Sequence, residues 1–328
     1  MAKNRNRPGL TVVATKVEDL QKDIRQNRRS YIGGSDAGSI LGLNRYCSPY
    51  TLWCEKVGMI SGEIEDNDSM RCGRDLEDYV AHRFMERTGK RVRRDNMRYS
   101  LQEYPFMVGH IDRWIISENA GLECKTSYSL DAAKLYRAGQ FPDHYYAQCQ
   151  HYMAVTGADK WYLAVLCLQH FYMFEIQRDE EEINALIHEE LSFWEHVLNG
   201  TPPEVDGSES TTETLLRVYP AGKVKAENTV VLTDKPGIDI AQYFEIKKQI
   251  KELEGITASV ENLLKSAMGE AERGILGDYV ITWPSVTSKR FDTKALKTDH
   301  PAIYEKYLKE SSSRRFTIKE IKRKEITV

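Results

Sequence analysis

The chain has 328 residues, of which 41% are hydrophobic and 29% are charged, and its formal net charge is −3. Such a chain can bury a sizeable core, in one large domain or in two unequal ones. The mean hydropathy of −0.54 and the lack of any apolar run of about 18 residues exclude a membrane span. The basic N-terminus has no apolar segment of the kind found in secretory signals, and six scattered cysteines without a CxxC pair indicate the reduced thiols of a cytoplasmic protein.

The charges are segregated along the chain. Residues 1–34 carry eight Lys and Arg against three acidic residues, and residues 179–213 carry eleven acidic residues and no Lys or Arg. The last forty residues carry twelve Lys and Arg against six acidic residues. This segregation permits a basic groove on a globally acidic protein, although solvated helix faces account for it equally well.

The hydrophobic pattern up to Gly200 predicts alternating helices and strands. Helices are predicted over 16–28, 36–41, 51–57, 75–88, 129–137, 143–156 and 180–200. Strands are predicted over 91–100, 106–116, 120–126, 161–168 and 170–177. Between the first two helices, Gly33 and Gly34 allow close backbone approach, and Ser35 can cap the short helix that follows.

The segment TPPEVDGSEST at 201–211 has the composition of a linker and marks the predicted domain boundary. We therefore expect a first domain over residues 1–205 and a C-terminal extension over residues 206–328. The extension is predicted to be α+β, with helices over 238–272 and 294–309, a strand in GDYVITWP and a final basic strand, RRFTIKE. Arg314 and Arg315 in that last segment either contact a nucleic-acid backbone or form a charged surface.

Two short motifs, GHID at 109–112 and LECK at 122–125, place two acids and a lysine on adjacent predicted strands. Glu123 and Lys125 share one strand face because side chains two apart do so, and a hairpin return can bring Asp112 beside them. Two neighbouring carboxylates do not both ionise without a cation, and Mg²⁺ suits such a site because it needs few protein ligands. A lysine there can orient an attacking water and offset charge on a phosphate. An ordinary salt-bridged strand pair is the alternative.

Two further features support a site. In Gly73-x-x-x-Glu77 the glutamate opens the helix ahead of the strands, where it can reach the metal waters; a first-turn acid favoured by the helix dipole is the alternative. In YYAQCQHYM at 145–153, Gln148 and Tyr152 are four residues apart and share a helix face. They can position a DNA strand beside a phosphodiester site, or form a partly buried polar pair.

Taken in order, these motifs resemble the lambda-exonuclease, or YqaJ-like viral recombinase, family of PD-(D/E)XK nucleases. The resemblance covers roughly residues 25–200. The segment Arg28-x-x-x-Ile32-x-x-Ser35 resembles the family's leading motif, GRDLE carries its helix glutamate, and GHID and LECK carry its catalytic motif. YYAQCQHYMAVTG followed by WYLAVL resembles its Y-x-x-Q-x-Q-x-x-M stretch and the next strand. The fold implied is a restriction-endonuclease-like α/β core with a mixed central sheet flanked by helices.

The resemblance implies roles at the reaction centre. Asp112 and Glu123 would be metal ligands, and strand curvature could add the backbone carbonyl of Cys124. Lys125 would be the catalytic lysine. The accessory groups would be Glu77, as an acid of the metal site, and Gln148 and Tyr152, which would orient the scissile region.

The resemblance also implies a pocket for the 5′-phosphate of a DNA end. Arg28 and Ser35 would bind this phosphate, because a guanidinium fork and a hydroxyl suit a terminal phosphate. Arg29 is an adjacent candidate that the sequence does not separate from Arg28. Where the family commonly has Ser-Pro or a similar pair of small residues, this chain has His110 and Ile111, and His110 can donate to the phosphate instead.

The activity implied is a phage-type 5′-to-3′ exonuclease on double-stranded DNA ends that leaves 3′ single-stranded overhangs. Its cofactor would be Mg²⁺, with Mn²⁺ as a substitute and two ions per site. The implied partners are a single-strand annealing protein and further copies of the chain in a trimeric ring, in the cytoplasm of a bacterial host. The alternatives are an endonuclease of restriction or resolvase type on the same core, and a DNA-binding recombination protein without catalysis. A Cas4-like nuclease lacks support because the cysteines for an iron–sulfur cluster are missing.

Overall fold

A computed structural model describes residues 10–18, 24, 27–61, 67–221, 229–230, 232 and 239–320. The chain divides into two compact units, residues 1–221 and 222–328. Within the described ranges no helix has the length and apolar character needed to cross a membrane.

The first unit contains both sheets that frame the candidate site. Its strands are β1 Val12–Lys16, β2 Ile32–Gly33, β3 Val92–Arg94, β4 Met97–Leu101, β5 Met107–His110, β6 Arg113–Ile115, β7 Ala120–Ser127, β8 Lys160–Cys167 and β9 His170–Gln177. Its helices are α1 Gly34–Ile40, α2 Pro49–Lys56, α3 Asp68–Thr88, α4 Leu130–Arg137, α5 Asp143–Thr156, α6 Glu180–Asn199 and α7 Glu209–Val218, with a 3-10 turn at Arg28–Ser30.

The main sheet has the strand order β3-β6-β7-β8-β9 and is mixed. Strands β7 and β8 are parallel, and the other neighbours are antiparallel. Parallel neighbours need a crossover connection, which α4 and α5 supply. A second sheet has the order β1-β4-β5-β2.

Strand β8 lies in the core, and its side chains alternate between two apolar layers. Leu163 packs in the cluster that includes Met153 of α5, whereas Tyr162 packs in the cluster that includes Phe84 of α3 and Leu122 of β7. Helices therefore cover both faces of the sheet, as expected of parallel strands. The predicted α/β fold with a mixed, helix-flanked sheet is confirmed.

The single strand predicted over 106–116 is wrong, because the chain passes from one sheet to the other there. Strand β5 pairs with β4 and β2, whereas β6 pairs with β3 and β7. The break falls at Ile111 and Asp112, between the two strands. The polar residues His110, Asp112 and Arg113 interrupt this stretch, but they do not show which sheet each half joins. The break places Asp112 immediately before β6.

Two helix boundaries also differ from the prediction. Helix α3 begins at Asp68 and not near residue 75, because the Asn67 side chain caps it by accepting from the Met70 N–H at 2.9 Å. Of the helix predicted over 16–28, Lys16 ends strand β1, residues 24 and 27 are helical, and residues 19–23 and 25–26 lie outside the described residues. Because α3 begins at Asp68, Glu77 lies well inside the helix. The helix dipole therefore does not explain why an acid stands at this position.

The first unit extends beyond the predicted boundary after residue 205. Helix α7 packs on α2 through a buried hydroxyl cluster formed by Ser48, Thr51, Ser210, Thr211 and Thr214. The hydroxyl oxygens of Thr51 and Thr214 are 2.8 Å apart, and those of Ser48 and Thr211 are 2.7 Å apart. Each hydroxyl needs a partner from the other helix, so α7 belongs with the first unit.

The second unit is α+β within its described residues, in agreement with the fold prediction. Its elements are helix α8 Ile240–Met268, the hairpin β10 Arg273–Leu276 and β11 Tyr279–Thr282, and the helices α9 Thr293–Asp299 and α10 Pro301–Tyr307. The helix predicted over 294–309 is divided at Pro301, which begins α10. The strand predicted in RRFTIKE is wrong, because residues 314–320 have no regular structure and no pairing strand.

A chain ending at residue 221 should fold more stably than one ending at residue 205. The shorter chain lacks α7, so it loses the hydrogen bonds that Ser48 and Thr51 make with that helix, each of which contributes about 0.5–1.5 kcal/mol. Urea denaturation followed by circular dichroism measures the difference. Equal free energies of unfolding for the two chains would contradict the assignment of α7 to the first unit.

Candidate active site

The hairpin between β6 and β7 brings the two acids of the motif together. The antiparallel register pairs Arg113 with Leu122, so the next position along places Asp112 opposite Glu123. Glu123 is buried, and Asp112 is half-buried beside it. The geometric prediction that a hairpin return sets Asp112 beside Glu123 is thus met by the structure.

The two oxygens of Glu123 have different surroundings. The Lys125 Nζ lies 2.6 Å from Oε1, and the Gln148 Nε2 donates to the same oxygen at 2.7 Å. The other oxygen, Oε2, is buried and has no hydrogen-bond partner. Because a buried carboxylate oxygen without a partner is unfavourable, Oε2 is the atom most suited to a ligand that the chain itself does not supply.

Lys125 is held by both charge and an aromatic ring. Its Nζ lies 5.1 Å from the centre of the Tyr145 ring, within cation–π range. Burial acts to lower the pKa of Lys125, but the charge of Glu123 and the nearby Tyr145 and Asp112 outweigh it, and the pKa is raised. Lys125 is therefore a stable cation beside the acids and not a ready proton donor.

Asp112 is the acid whose ionisation the protein opposes most clearly. Its Oδ2 accepts the Cys124 N–H at 2.9 Å. Burial, followed by the charges of Glu123 and Glu77, nevertheless raises the pKa of Asp112 well above its ordinary value. A positive charge at this position would remove the conflict between the neighbouring carboxylates.

Arg113 links Glu77 to the site, and the sequence reasoning missed it. Its guanidinium, 5% exposed, donates to Glu77 at 2.6 Å and to the Asp112 carbonyl at 2.7 Å. It also donates to Asp78 at 2.5 Å. Its position directly after Asp112 in a strand was the available signal, and the ion pair with Glu77 shows why this acid faces the sheet.

Gln148 and Tyr152 lie on the same face of α5, as their spacing predicts. The Gln148 Nε2 donates to the Tyr152 hydroxyl at 2.9 Å as well as to Glu123. Gly34 of α1 makes room for this tyrosine, because a Cβ there would lie 2.4 Å from the Tyr152 ring. The prediction of close backbone approach at Gly34 is met by the contact.

An open cleft of about 190 Å³ adjoins the acids. Its lining combines residues predicted for the phosphate pocket with residues of the reaction centre: Ile24, Arg28, Tyr31, Gly33, Gly34, Ser35, Asp36, His110, Asp112 and Tyr152. The Tyr31 and His110 rings meet edge to face, with centroids 5.5 Å apart. The structure therefore joins the N-terminal motif and the Asp112 motif in one concave surface.

Arg28 and Arg29 point to different places. Arg28 lines the cleft, with its Nη2 3.5 Å from Asp36 Oδ1 and its side chain 47% exposed. Arg29 is not among the cleft residues, and its Nη2 lies 3.5 Å from the Ile60 carbonyl. Of the two arginines, Arg28 is the one that lines the cleft.

The chemistry of the acid pair fits a hard divalent cation. Within the described part of the chain, no group of three or more His, Cys, Asp or Glu side chains forms a complete metal site. Mg²⁺ does not require one, since it keeps several waters and is often bound by one or two carboxylates and a substrate phosphate. The partnerless Glu123 Oε2 and the opposed ionisation of Asp112 are the features that such an ion would relieve. The Cys124 carbonyl remains a predicted third ligand.

The mixed, helix-flanked sheet and the paired acids with a lysine are the arrangement that the resemblance to PD-(D/E)XK nucleases implies. The sequence profile of the YqaJ-like viral recombinase domain matches residues 24–159. The YqaJ protein of Bacillus subtilis strain 168 is 40% identical over 298 residues, which are 90% of this chain and 92% of that protein. The chain belongs to the YqaJ-like viral recombinase family.

Two solved structures are similar in part. The alkaline exonuclease LHK-Exo of Laribacter hongkongensis has a TM-score of 0.48 and 17% identity, over 55% of this chain and 93% of that one. A phage-related exonuclease of Haemophilus somnus 129PT has a TM-score of 0.40 and 15% identity, over 52% of this chain and 96% of that one. At these values the likeness carries no conclusion about activity.

The Asp112→Asn variant should melt at a higher temperature than the unchanged protein at pH 8 in the presence of a chelator. The pKa of Asp112 is raised in the folded state, so ionisation destabilises the fold as the pH rises above about 4. The gain in stability should therefore vanish in acid. Adding Mg²⁺ or Mn²⁺ should raise the melting temperature of the unchanged protein but not of the variant.

Differential scanning fluorimetry across pH, with chelator or cation, measures both effects. Asp131→Asn is the matched control, because Asp131 is exposed and paired with Lys134 on α4. A melting temperature that divalent cations leave unchanged would contradict a cation site at these acids.

Proposed function

We propose that the protein is a metal-dependent nuclease that hydrolyses phosphodiester bonds of DNA. The observation that carries this proposal is the convergence of Asp112, Glu123 and Lys125 beside an open cleft, with Glu123 Oε2 buried and partnerless. A pair of acids that needs a cation, next to a fixed cationic lysine, is the arrangement that phosphodiester hydrolysis requires.

Each group has a distinct task in this proposal. Asp112 and Glu123 would hold Mg²⁺, or Mn²⁺ in its place, with the Cys124 carbonyl as a further ligand and two ions in the full site. When bound, the metal would polarise the phosphate and lower the pKa of water. Lys125, kept cationic by Glu123, orients the attacking water and offsets the charge that develops on the phosphate.

The accessory groups hold this arrangement in place. Gln148 fixes one oxygen of Glu123 and the hydroxyl of Tyr152, so these two residues of α5 orient the strand that is cut. Glu77, held by Arg113, is the third acid and acts through water near the metal. Fixed donors and acceptors of this kind avoid reorganisation during the reaction.

We further propose that the enzyme acts on duplex ends from the 5′ side. Arg28, Ser35 and His110 line the cleft together with Asp112, so a terminal phosphate in that cleft would lie near the reaction centre. A guanidinium and a hydroxyl suit a phosphate that carries an extra negative charge. Digestion in the 5′-to-3′ direction would leave 3′ single-stranded overhangs.

The matching family is described as a viral recombinase, and recombination by strand annealing would use these overhangs. We propose a single-strand annealing protein as the partner and the cytoplasm of a bacterial host as the location. A trimeric ring of this chain around the DNA would keep the enzyme on its substrate. Copies of the whole chain would then be repeated around the duplex.

An endonuclease on the same core is the second candidate, because the acid and lysine arrangement would serve both reactions. The presence of Arg28 and Ser35 in the cleft with Asp112 favours recognition of ends. A DNA-binding protein without catalysis is disfavoured because Asp112, Glu123 and Lys125 are all present and adjacent. Covalently closed circular DNA should resist the protein, whereas linear 5′-phosphorylated DNA should be consumed.

Glu123→Gln and Lys125→Met should each lower the rate of nucleotide release from linear duplex DNA by about 10²- to 10³-fold. The first change removes the charge that holds the cation, and the second removes the fixed positive charge beside the phosphate. Release of acid-soluble label from uniformly labelled DNA measures the rate. Lys134→Met is the control for the lysine, because Lys134 is 75% exposed on α4; a similar loss in that variant, or full activity in Lys125→Met, would contradict the assignment.

Arg28→Ala should raise the KM for 5′-phosphorylated ends by about tenfold or more, since a charge-assisted contact to phosphate contributes about 1.5–3 kcal/mol. Arg29→Ala should leave that KM nearly unchanged, because Arg29 lies against the Ile60 carbonyl and not in the cleft. Steady-state digestion of matched duplexes with a 5′-phosphate or a 5′-hydroxyl separates the two arginines. Equal effects of the two substitutions would contradict the geometric choice.

A further inference from the structure

A buried ion pair adjoins the cleft and has no role in the proposed reaction. Lys56 of α2 and Asp36 of α1 meet at 2.7 Å, with their side chains only 2% and 4% exposed. Asp36 lines the cleft between Ser35 and the 28–31 segment, whereas Lys56 approaches from behind it. Buried pairs seldom raise stability because both charges lose their hydration, so this pair calls for another explanation.

Lys56 uses all three of its N–H donors to connect separate parts of the chain. It donates to the Arg28 carbonyl at 2.8 Å, to the Tyr31 carbonyl at 2.6 Å and to Asp36 Oδ2 at 2.7 Å. The backbone that carries Arg28 is thereby tied to α1, which carries Ser35. The distance between the two predicted phosphate-binding side chains therefore depends on one lysine that lies outside the cleft.

Asp36 also contacts the segment that carries Arg28. Its Oδ2 accepts the Gly33 N–H at 3.0 Å, and its Oδ1 lies 3.5 Å from the Arg28 guanidinium. Burial acts to raise the pKa of Asp36, but the charges of Lys56 and Arg28 outweigh it and lower the pKa. Asp36 is thus a fixed anion whose charge Lys56 neutralises. The positive charge of Arg28 is therefore available to a phosphate.

We propose that the Lys56–Asp36 pair is a positioning device that orients Arg28 and holds it at a set distance from Ser35, so that a terminal phosphate monoester is bound by both. This inference rests on the proposed function and adds two residues to it. Neither residue touches the phosphate: Asp36 aims the guanidinium, and Lys56 fixes the backbone and balances the charge of Asp36. Preorganisation of this kind improves binding without any new contact to the ligand.

The test uses the full chain with both members of the pair replaced, Asp36→Asn together with Lys56→Met. Single substitutions leave an unpaired buried charge and can unfold the protein, whereas neutral replacement of a whole buried pair is often tolerated. The double variant should remain folded but melt at a lower temperature, because the Arg28 and Tyr31 carbonyls lose the donor that Lys56 supplies. Its KM for 5′-phosphorylated ends should rise by about tenfold, with kcat and the KM for 5′-hydroxyl ends unchanged.

A double-mutant cycle distinguishes positioning from a general structural role. In an Arg28→Ala background, replacing the pair should have no further effect on phosphate preference, because the guanidinium that it aims is absent. The matched control is Lys90→Met with Glu118→Gln, which removes a partly buried lysine–glutamate pair whose members do not line the cleft. This control should leave the phosphate preference unchanged.

Binding without cleavage separates this inference from the proposed nuclease activity. Fluorescence anisotropy of short duplexes with a 5′-phosphate or 5′-hydroxyl, in chelator, should show weaker binding of only the phosphorylated duplex by the double variant. Loss of this preference in a protein that never cleaves DNA would support the inference and overturn the nuclease proposal. Equal weakening for both ends, effects additive with Arg28→Ala, or no phosphate preference in the unchanged protein would overturn the inference.

Discussion

The arrangement of the candidate site depends on two carboxylates that lie side by side on β7 and immediately before β6, with Glu123 buried and Asp112 half-buried. Asp112 and Glu123 face one another across the β6–β7 hairpin, and burial with mutual repulsion opposes the ionisation of Asp112. The surrounding groups stabilise the carboxylates only in part, because Lys125 and Gln148 both contact a single oxygen of Glu123. The remaining oxygen has no hydrogen-bond partner among the described residues, which supports the proposal of a cation at these acids.

The same helix connects the acid pair with the cleft. Gln148 of α5 holds Glu123, while Tyr152, one turn later, lines the cleft and packs against Gly34 of α1. A displacement of α1 would therefore change the positions of residues in both the cleft and the acid pair. Under the proposed function, this common helix would let one rigid unit bind a duplex end and a reactive phosphodiester together. Protein interiors transmit small displacements through close packing.

Much of the candidate site could be predicted from short-range pattern. The spacing of Glu123 and Lys125 placed them on one strand face, and the i, i+4 spacing of Gln148 and Tyr152 placed these two on one helix face. Arg113 was not foreseen, because a single arginine in a strand has no distinctive spacing. The break between β5 and β6 was also missed, since the local pattern over 106–116 does not show which sheet each half joins.

The sequence by itself determined most helices and strands between residues 34 and 200, the family and the residues that local periodicity sets on one face. Only the tertiary structure decided that Arg28 and not Arg29 enters the cleft, that α7 completes the first unit, and that Lys56 reaches Asp36 from another helix. The physical reason is range: periodicity acts over one or two turns, whereas these contacts join residues that are distant in the chain. Such contacts arise only when buried polar groups find partners during packing.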